Sequence, residues 1–368
     1  MNHKRSDGYR SEVIGSLLRP EYLKEAVRRF EAKEISDDEL AAAQDRAAVE
    51  GIALQEACGI DVITDGEVRR SHWFDPLTES LSGYSREAAA PVPFTMGQAT
   101  STNLVRLPAV ARRLGRRTNL PLREYRFLSE HARSAGKATL PSLTYASVLW
   151  VPGVSDSVYP DREEYLQDAL RLMREVVAEL HAAGARYIQL DAPRYTHLVS
   201  EVGLQNFERL GINTKTWLTD MIALDNALMA GFSDVTFGLH LCRGNARSMW
   251  SVEGGYDPIA EQLFSQIHCQ RLLLEYDSPR AGNFAPLRFV PAGKTVVLGL
   301  ITTKEPELES ADLLKRRVEE ASQHVPLDRL ALSPQCGFAS VLEGNLISEA
   351  VQRAKLERLG QVAHEIWS

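Results

Sequence analysis

The stretch "DVTFGLHLC" (234–242) is an apolar run of β-strand character that ends in a histidine and a cysteine. Long amphipathic segments such as 160–184 and 310–325 predict helices, and Ser310 is a candidate N-cap of the second. Strands that alternate with helices pair in parallel and are covered by those helices, so the chain is predicted to be an α/β protein. Similar short runs recur along the chain, at 61–67, 138–144, 185–193, 271–277, 295–302 and 329–337.

The spacing of these runs selects one α/β architecture. Each strand–helix unit takes roughly 30 to 40 residues, and about eight units fit in the chain, which favours a (β/α)8 TIM barrel over a doubly wound sheet. We therefore predict a single catalytic barrel domain over 1–368. Segment 72–130 interrupts the pattern, and we expect it to be irregular and to fold over the barrel mouth rather than to form a second domain.

Composition excludes several classes of partner. The 368 residues are 44% hydrophobic and 25% charged, and the net charge of −7 is mixed along the chain, which argues against a nucleic-acid footprint. No apolar run approaches the length of a bilayer span, and the polar start of the chain is unlike a signal peptide. We expect a cytoplasmic protein with small-molecule partners and no membrane, and a homo-oligomer remains open.

Polar residues close the predicted strands, at the barrel end where TIM-barrel enzymes carry their chemistry. Taken singly, each has an ordinary structural explanation. An acid at such a position can cap the next helix, a lone histidine can be a hydrogen-bonded core residue, and a lone cysteine can be an inert buried thiol. The residues are Glu67, Asp191, His240, Cys242, Glu275 and Cys336.

Together these residues indicate a metal site. Cys242 and Glu275 are 33 residues apart, near one β/α unit, and Glu275 and Cys336 are 61 apart, near two. His240 and Cys242 are two apart on one strand, so their side chains point the same way. One imidazole, two thiolates and one carboxylate form a set that zinc commonly binds as four ligands. Cys58 and Cys269 lack such positions and are expected to be structural.

Several segments together resemble the cobalamin-independent methionine synthase family, specifically its C-terminal catalytic barrel in a short, single-barrel form. They follow the family's order over nearly the whole chain. They are "VIGSLLRPEYLKEA" (13–26), "DVITDGEVRRSHWFD" (61–75), "YIQLDAP" (187–193), "HLCRGN" (240–245), "LLLEYDSPRAGNFAPL" (272–287) and "LSPQCGFAS" (332–340).

The resemblance implies a zinc-dependent methyltransferase that activates the thiol of homocysteine for attack on a methyl donor such as 5-methyltetrahydrofolate, giving methionine. It implies a Zn2+ ion held by His240, Cys242, Glu275 and Cys336. It also places the amino-acid carboxylate on the turn formed by Ile14, Gly15 and Ser16. The ammonium group would be bound by two acids, Glu67 and Asp191.

The chain departs from the large synthases around the methyl donor. A general acid must protonate the departing nitrogen of a folate, and the large synthases carry a histidine near the end of the seventh strand. The corresponding stretch, 296–304, has none. His72 is a candidate substitute, although a surface-loop histidine explains it equally well. Trp73 and Trp150 are candidate pterin platforms, and the half of the large synthases that helps to hold the folate tail has no counterpart.

Alternative functions follow from the same ligands. A zinc-dependent thiol alkyltransferase of the same family would use another electrophile, either an epoxide with coenzyme M as the thiol or a methylcorrinoid. A metal-free barrel of the uroporphyrinogen decarboxylase type shares the architecture, but the complete ligand set argues against it. A thiol- or zinc-binding protein without catalysis is disfavoured by the acids at the barrel mouth.

Overall fold

The computed structural model describes residues 8–96 and 99–368, and the side chains of 8–87 and 106–368. Residues 1–7 lie outside the described residues. They belong to the polar start of the chain, which was the reason not to expect a signal peptide. No helix in these ranges combines the length and the apolar composition that crossing a bilayer requires.

Parallel strands form the barrel wall. They are β1 (Val62–Ile63), β4 (Ala135–Gly136), β5 (Ala138–Pro141), β6 (Tyr187–Asp191), β7 (Thr236–Leu241), β8 (Arg271–Glu275), β9 (Thr295–Ile301) and β10 (Leu330–Pro334). Strands β5 to β10 pair consecutively in one sheet, and β1 pairs with β4, which Lys137 alone separates from β5.

The first segment of the chain closes the ring. Ser11 bridges to Leu332 of β10 and Glu12 bridges to Val62 of β1, both in parallel. The Glu12 N–H donates to the Leu332 carbonyl at 3.1 Å, and the Val62 N–H donates to the Ser11 carbonyl at 3.1 Å. With β4 and β5 counted as one segment, eight parallel segments of the described residues surround the core. The predicted α/β TIM barrel is confirmed.

Two of the helices that cover the ring match the predicted segments. Segment 160–184 contains α6 and 310–325 contains α10, whose N-cap is Ser310 as expected, since its hydroxyl accepts from the Leu313 N–H. The helices are α1 (Glu21–Glu31), α2 (Asp37–Ala57), α3 (Asp75–Thr78), α4 (Leu120–His131), α5 (Leu143–Ser147), α6 (Arg162–Ala182), α7 (Glu201–Arg209), α8 (Thr214–Met229), α9 (Asp257–Gln266), α10 (Ala311–Ser322) and α11 (Glu349–Trp367).

The expectation of an irregular segment over 72–130 is wrong. After α3 the chain forms a long antiparallel hairpin of β2 (Leu81–Met96) and β3 (Ala99–Arg116), and α4 follows. The base of the hairpin packs on the loop before α6, since the Val110 N–H donates to the Leu149 carbonyl at 2.8 Å. Prolines within 90–96 and register shifts hide the two-residue alternation by which strands are recognised.

Candidate active site

The predicted polar residues lie at one end of the barrel. Asp191 is the last residue of β6 and pairs in register with His240 of β7. Glu275 is the last residue of β8, Cys242 follows directly after β7, and Cys336 is the second residue after β10. All the barrel strands are parallel, so their carboxyl ends share one rim. The structure places these residues where the strand count predicted them.

Three of the predicted ligands converge. The nitrogen of His240 and the sulfurs of Cys242 and Cys336 lie within 4.8 Å of one another, and all three residues are buried. The His240 Nδ1 lies 3.3 Å from the Leu273 carbonyl, and a proton on Nδ1 would leave Nε2 free to bind a metal. That Nε2 is buried without a hydrogen-bond partner among the described residues. An unpaired imidazole nitrogen beside two sulfurs fits a metal such as zinc.

The pKa values of the two cysteines are shifted in opposite directions. The hydrogen bond from the Cys242 thiol holds the pKa of Cys336 well below its usual range, against the effect of burial and with help from His240. The same hydrogen bond, together with burial, raises the pKa of Cys242 well above its usual range. One thiolate is therefore already stable in this pocket, and a bound cation would favour the second.

Glu275 lies outside this three-residue group, and its oxygens are held by neighbours. Its Oε2 accepts from the Arg243 N–H at 2.7 Å, and its Oε1 accepts from Arg280 Nη2 at 2.9 Å. Burial raises its pKa, but the cations Arg243, Arg280 and Lys304 outweigh that effect and lower the pKa overall. Glu275 is thus an ionised, oriented carboxylate, and its role as a fourth ligand stays a prediction.

The turn at 14–16 and Glu67 are tightly packed against each other. A Cβ added to Gly15 would fall 2.2 Å from Glu67 Oε1, so glycine at this position leaves room for the carboxylate. Glu67 has a left-handed backbone with φ 52°, and its Oε1 accepts from the Thr139 hydroxyl at 2.6 Å. Arg70 also pairs with this carboxylate at 3.2 Å. A buried acid on strained backbone is typical of a functional position.

Asp191 is the second buried acid of the site. Its Oδ1 accepts from Gln189 Nε2 at 2.7 Å, and the same Gln189 group donates to the Ile14 carbonyl at 2.7 Å. Gln189 therefore ties Asp191 to the turn at 14–16. Burial raises the pKa of Asp191 to about 7, with His240 opposing and Glu67 adding to the rise. A cationic group near Asp191 would stabilise its charged form.

A cavity that opens to solvent joins these residues, with about 720 Å3 of empty space when its open mouth is included. Of the predicted site residues, Ile14, Gly15, Ser16, Glu67, Asp191, His240, Cys242 and Cys336 line it. Glu275 and His72 are not among the lining residues. The cavity thus brings the three converging ligands together with both candidate ammonium-binding acids and the turn.

His72 lies beside the cavity. Its backbone N–H donates to Asp75 Oδ2 at 2.9 Å, its ring stacks on Phe74 with centroids 4.9 Å apart, and burial lowers its pKa. Its neighbour Trp73 does line the cavity. Trp150 does not, because its indole N–H donates to the Tyr159 carbonyl at 3.1 Å.

Several cavity residues escaped the sequence analysis. Arg194 and His197 follow Asp191 within one short turn, so their position after a strand end was a usable signal. Tyr145, Asn245, Ser251 and Ser340 come from loops and short helices whose approach to the cavity depends on long-range packing. These six residues complete much of the lining.

Comparison with known proteins agrees with this geometry. The family model described as "Cobalamin-independent synthase, Catalytic domain" matches residues 10–356. The chain is 37% identical to the uncharacterized protein YxjH of Bacillus subtilis over 99% of this chain and 96% of that protein. It is 30% identical to the methionine synthase of Sulfurisphaera tokodaii over 89% of this chain and 85% of that enzyme.

A solved structure extends the comparison to the fold. The putative vitamin-B12-independent methionine synthase of Listeria monocytogenes superposes with a TM-score of 0.72 at 26% identity, covering 99% of this chain and 100% of that one. The sequence match, the barrel and the residues at its mouth agree, and the chain belongs to the cobalamin-independent methionine synthase catalytic-domain family.

Proposed function

We propose that this chain is a zinc-dependent methyltransferase that transfers a methyl group to the thiol of homocysteine and so forms methionine. One observation carries the proposal. The buried group of His240, Cys242 and Cys336 opens on the same cavity as Glu67 and Asp191. A thiol-activating centre and a cation-binding pair of acids within one cavity suit a substrate that has both a thiol and an ammonium group.

The chain's residues would divide the work as follows. His240, Cys242 and Cys336 would hold the zinc, with Glu275 as the proposed fourth ligand. A zinc ion held there would supply the positive charge that makes an incoming thiol a thiolate at neutral pH, where a free thiol with a pKa of about 8.5 is mostly protonated. The ionised Glu275, fixed by Arg243 and Arg280, would limit the net charge of the site.

The amino-acid end of homocysteine would be held at the turn. Glu67 and Asp191 would bind the ammonium group, and the turn of Ile14, Gly15 and Ser16 would bind the carboxylate. Gln189 supports this arrangement because it links Asp191 to the Ile14 carbonyl. Bound ammonium would keep Asp191 ionised, although burial raises its pKa to about 7 in the free chain.

For a folate-type donor, His72 is the proposed general acid. Its support is its position next to Trp73, which lines the cavity. A His72→Asn variant tests this role. A missing general acid should lower kcat with 5-methyltetrahydrofolate by about 100- to 10,000-fold. An unchanged kcat would remove His72 from the mechanism.

The decisive experiment identifies the product. Zinc-loaded protein is given homocysteine with 5-methyltetrahydrofolate, methylcobalamin or an epoxide in parallel, and products are identified by mass spectrometry. Methionine from a methyl donor, absent with the Cys336→Ala variant, supports the proposal. A hydroxyalkyl thioether from the epoxide alone would replace methyl transfer with alkyl transfer. Failure of the zinc-loaded chain to methylate homocysteine with either methyl donor would reject the proposed donors.

A further inference from the structure

Arg194 is a buried cation without a carboxylate partner among the described residues. Its side chain lies in the wall of the cavity, and the residue is only 8% exposed. Its guanidinium lies 5.4 Å from the Tyr145 ring centroid. Tyr145 and the Cys242 sulfur favour its charge, but no described carboxylate forms an ion pair with it. Its Nε is buried without a hydrogen-bond partner among the described residues. Burying such a charge is costly unless a partner compensates it, which points to a partner that arrives as a ligand.

His197 adds a second unpaired donor beside this cation. Arg194 Nη1 lies 2.9 Å from His197 Nε2, and a guanidinium can only donate, so Nε2 accepts and carries no proton. The ring proton must then be on Nδ1. That nitrogen is also buried without a partner among the described residues, and His197 lines the cavity as well. The pair therefore offers a positive charge and two unused N–H groups.

The surroundings fix this pair in place. The Thr196 hydroxyl donates to the Cys242 carbonyl at 2.7 Å, which ties the segment of Arg194 and His197 to the end of β7, where the proposed ligands His240 and Cys242 lie. The His197 ring stacks on Phe207, with centroids 5.5 Å apart. Gly203 approaches the His197 backbone so closely that an added Cβ would fall 2.1 Å from the His197 carbonyl oxygen. The donors are held rigidly, as an effective binding site requires.

The turn proposed for homocysteine does not include this pair. Arg194 comes three residues after Asp191, the acid assigned to the ammonium group, and the pair and the turn line one cavity. Homocysteine has one carboxylate, and the proposed function assigns it to the turn. A second anion site in the same cavity therefore suits the second substrate.

We propose that Arg194 and His197 form a subsite for an anionic group, a carboxylate or a phosphate, of the methyl donor. This inference rests on the proposed function, because it takes the cavity to bind a thiol and a methyl donor together. The donors that fit are those that carry such a group, and a donor without one should bind more weakly.

Paired probes test the subsite by calorimetric titration of the zinc-loaded chain. 5-Methyltetrahydrofolate has carboxylates that 5-methyltetrahydropterin lacks, and methylcobalamin has a phosphate that methylcobinamide lacks. The variants are Arg194→Met, which removes the charge, and Arg194→Lys, which keeps it. Arg162→Met is the matched control, because Arg162 also lies over an aromatic ring, Trp150 at 4.9 Å, but does not line the cavity. Zinc content and circular dichroism check that each variant folds.

The expected result separates donor from thiol. Arg194→Met should raise the Kd of the anionic probe at least about tenfold, the loss of a charge-assisted hydrogen bond, and leave its neutral counterpart within about twofold. Arg194→Lys should retain part of the affinity, and Arg162→Met all of it. The KM for homocysteine should not change with Arg194→Met. The probe pair that responds identifies the anion as carboxylate or phosphate.

Other results would overturn the subsite. Equal losses for anionic and neutral probes would make Arg194 a structural residue, and a rise in the KM for homocysteine alone would assign the pair to the amino-acid carboxylate. Binding needs no turnover, so the two proposals can fail separately. Arg194-dependent binding without methionine formation rejects the proposed function and keeps the subsite. Methionine formation with no dependence on Arg194 rejects only the subsite.

Discussion

Two buried polar groups lie at opposite ends of the same strands. At the amino ends, Glu12, Lys137, Tyr187 and Arg271 form what we call the basal cluster. Tyr187 begins β6 and Arg271 begins β8, while Asp191 and Glu275 end those two strands at the mouth. The same barrel therefore buries charge twice, about four residues apart along each strand.

The basal cluster satisfies itself. Lys137 Nζ donates to Glu12 Oε2 at 2.6 Å and the Tyr187 hydroxyl donates to the same oxygen at 2.7 Å. Arg271 Nη2 pairs with Glu12 Oε1 at 2.8 Å. One carboxylate thus pairs with two cations and one hydroxyl, and both Glu12 oxygens are used.

The mouth leaves donors and acceptors unused. His240 Nε2, Arg194 Nε and His197 Nδ1 are all buried without a hydrogen-bond partner among the described residues. Folded proteins pair most buried polar atoms, and exceptions call for an explanation. The contrast teaches that the basal cluster supports the barrel, whereas the mouth is built for groups that the chain does not supply.

The largest expected effect is the loss of a mouth ligand. Cys336→Ala removes one of three converging donors, so we expect loss of bound zinc and a fall in methyl transfer of more than about 100-fold, beyond the range for residues that only support a ligand. Metal analysis and product assay measure both. Cys269→Ala is the control, since Cys269 is buried outside the cluster. Full activity of metal-free Cys336→Ala would contradict the proposal that the mouth binds a metal that the reaction needs.

The second largest effect is expected when the ion pairs of the basal cluster are removed. Glu12→Gln leaves Lys137 and Arg271 buried without their counter-charge, so the free energy of unfolding should fall by about 3–5 kcal/mol. Denaturant titration measures it, and zinc content should not change. Glu50→Gln, in an exposed pair with Arg46 at 2.9 Å, should cost no more than about 1 kcal/mol. Similar losses for the two variants would show that the basal cluster contributes little to stability.

A smaller effect should follow from crowding the turn. The Cβ of a Gly15→Ala variant would fall 2.2 Å from Glu67 Oε1 and displace that carboxylate. We expect the KM for homocysteine to rise about tenfold through a weakened charged contact, with zinc content retained. Gly8→Ala is the control, because its Cβ would meet nothing within 4 Å. An unchanged KM would remove Glu67 from ammonium binding.

The two ends should also differ in their response to pH. Burial raises the pKa of Asp191 to about 7, whereas an unfolded aspartate titrates near about 3.9. Between these values the folded chain holds more protons, so the free energy of unfolding should fall as pH rises, by at most about 1.4 kcal/mol per pH unit, and level off above about pH 7. Metal-free Asp191→Asn should lack this contribution.

The contribution of Glu12 to the free energy of unfolding should change with pH in the opposite direction. Burial alone would raise its pKa, but Lys137 and Arg271 outweigh it and lower the pKa. Its stabilising contribution is therefore present above the unfolded pKa and is lost as pH falls through the folded one. Denaturant titrations of wild type, Asp191→Asn and Glu12→Gln across pH separate the two contributions. A slope that is the same with and without Asp191 would contradict the assigned pKa.

The sequence predicted most of the mouth because strand spacing fixes it. Residues that end parallel strands must share a rim, so His240, Cys242 and Cys336 could be placed together without coordinates. The same reasoning placed Glu275 on the rim, but could not reveal that Arg243 and Arg280 occupy its oxygens. Such contacts depend on where loops return, which local pattern does not record.

Two other features were beyond the sequence pattern. The hairpin of β2 and β3 lacks regular alternation, and its pairing shifts register in several places. His197 lies in a short 3-10 helix after β6, and Arg194 immediately precedes that helix. No hydrophobic periodicity in this segment indicates which side chains line the cavity. These two residues stand out only in the structure, because Arg194 Nε and His197 Nδ1 are buried without a hydrogen-bond partner among the described residues.

The most direct test of the central claim is zinc-edge X-ray absorption on the purified chain, before and after homocysteine is added. The account predicts about one zinc per chain, bound by one imidazole and two sulfurs together with an oxygen ligand. Homocysteine should then add a third sulfur, and loss of the oxygen would identify Glu275 as the ligand that yields its place. An unchanged set of ligands after homocysteine, or full activity of a metal-free preparation, would contradict it.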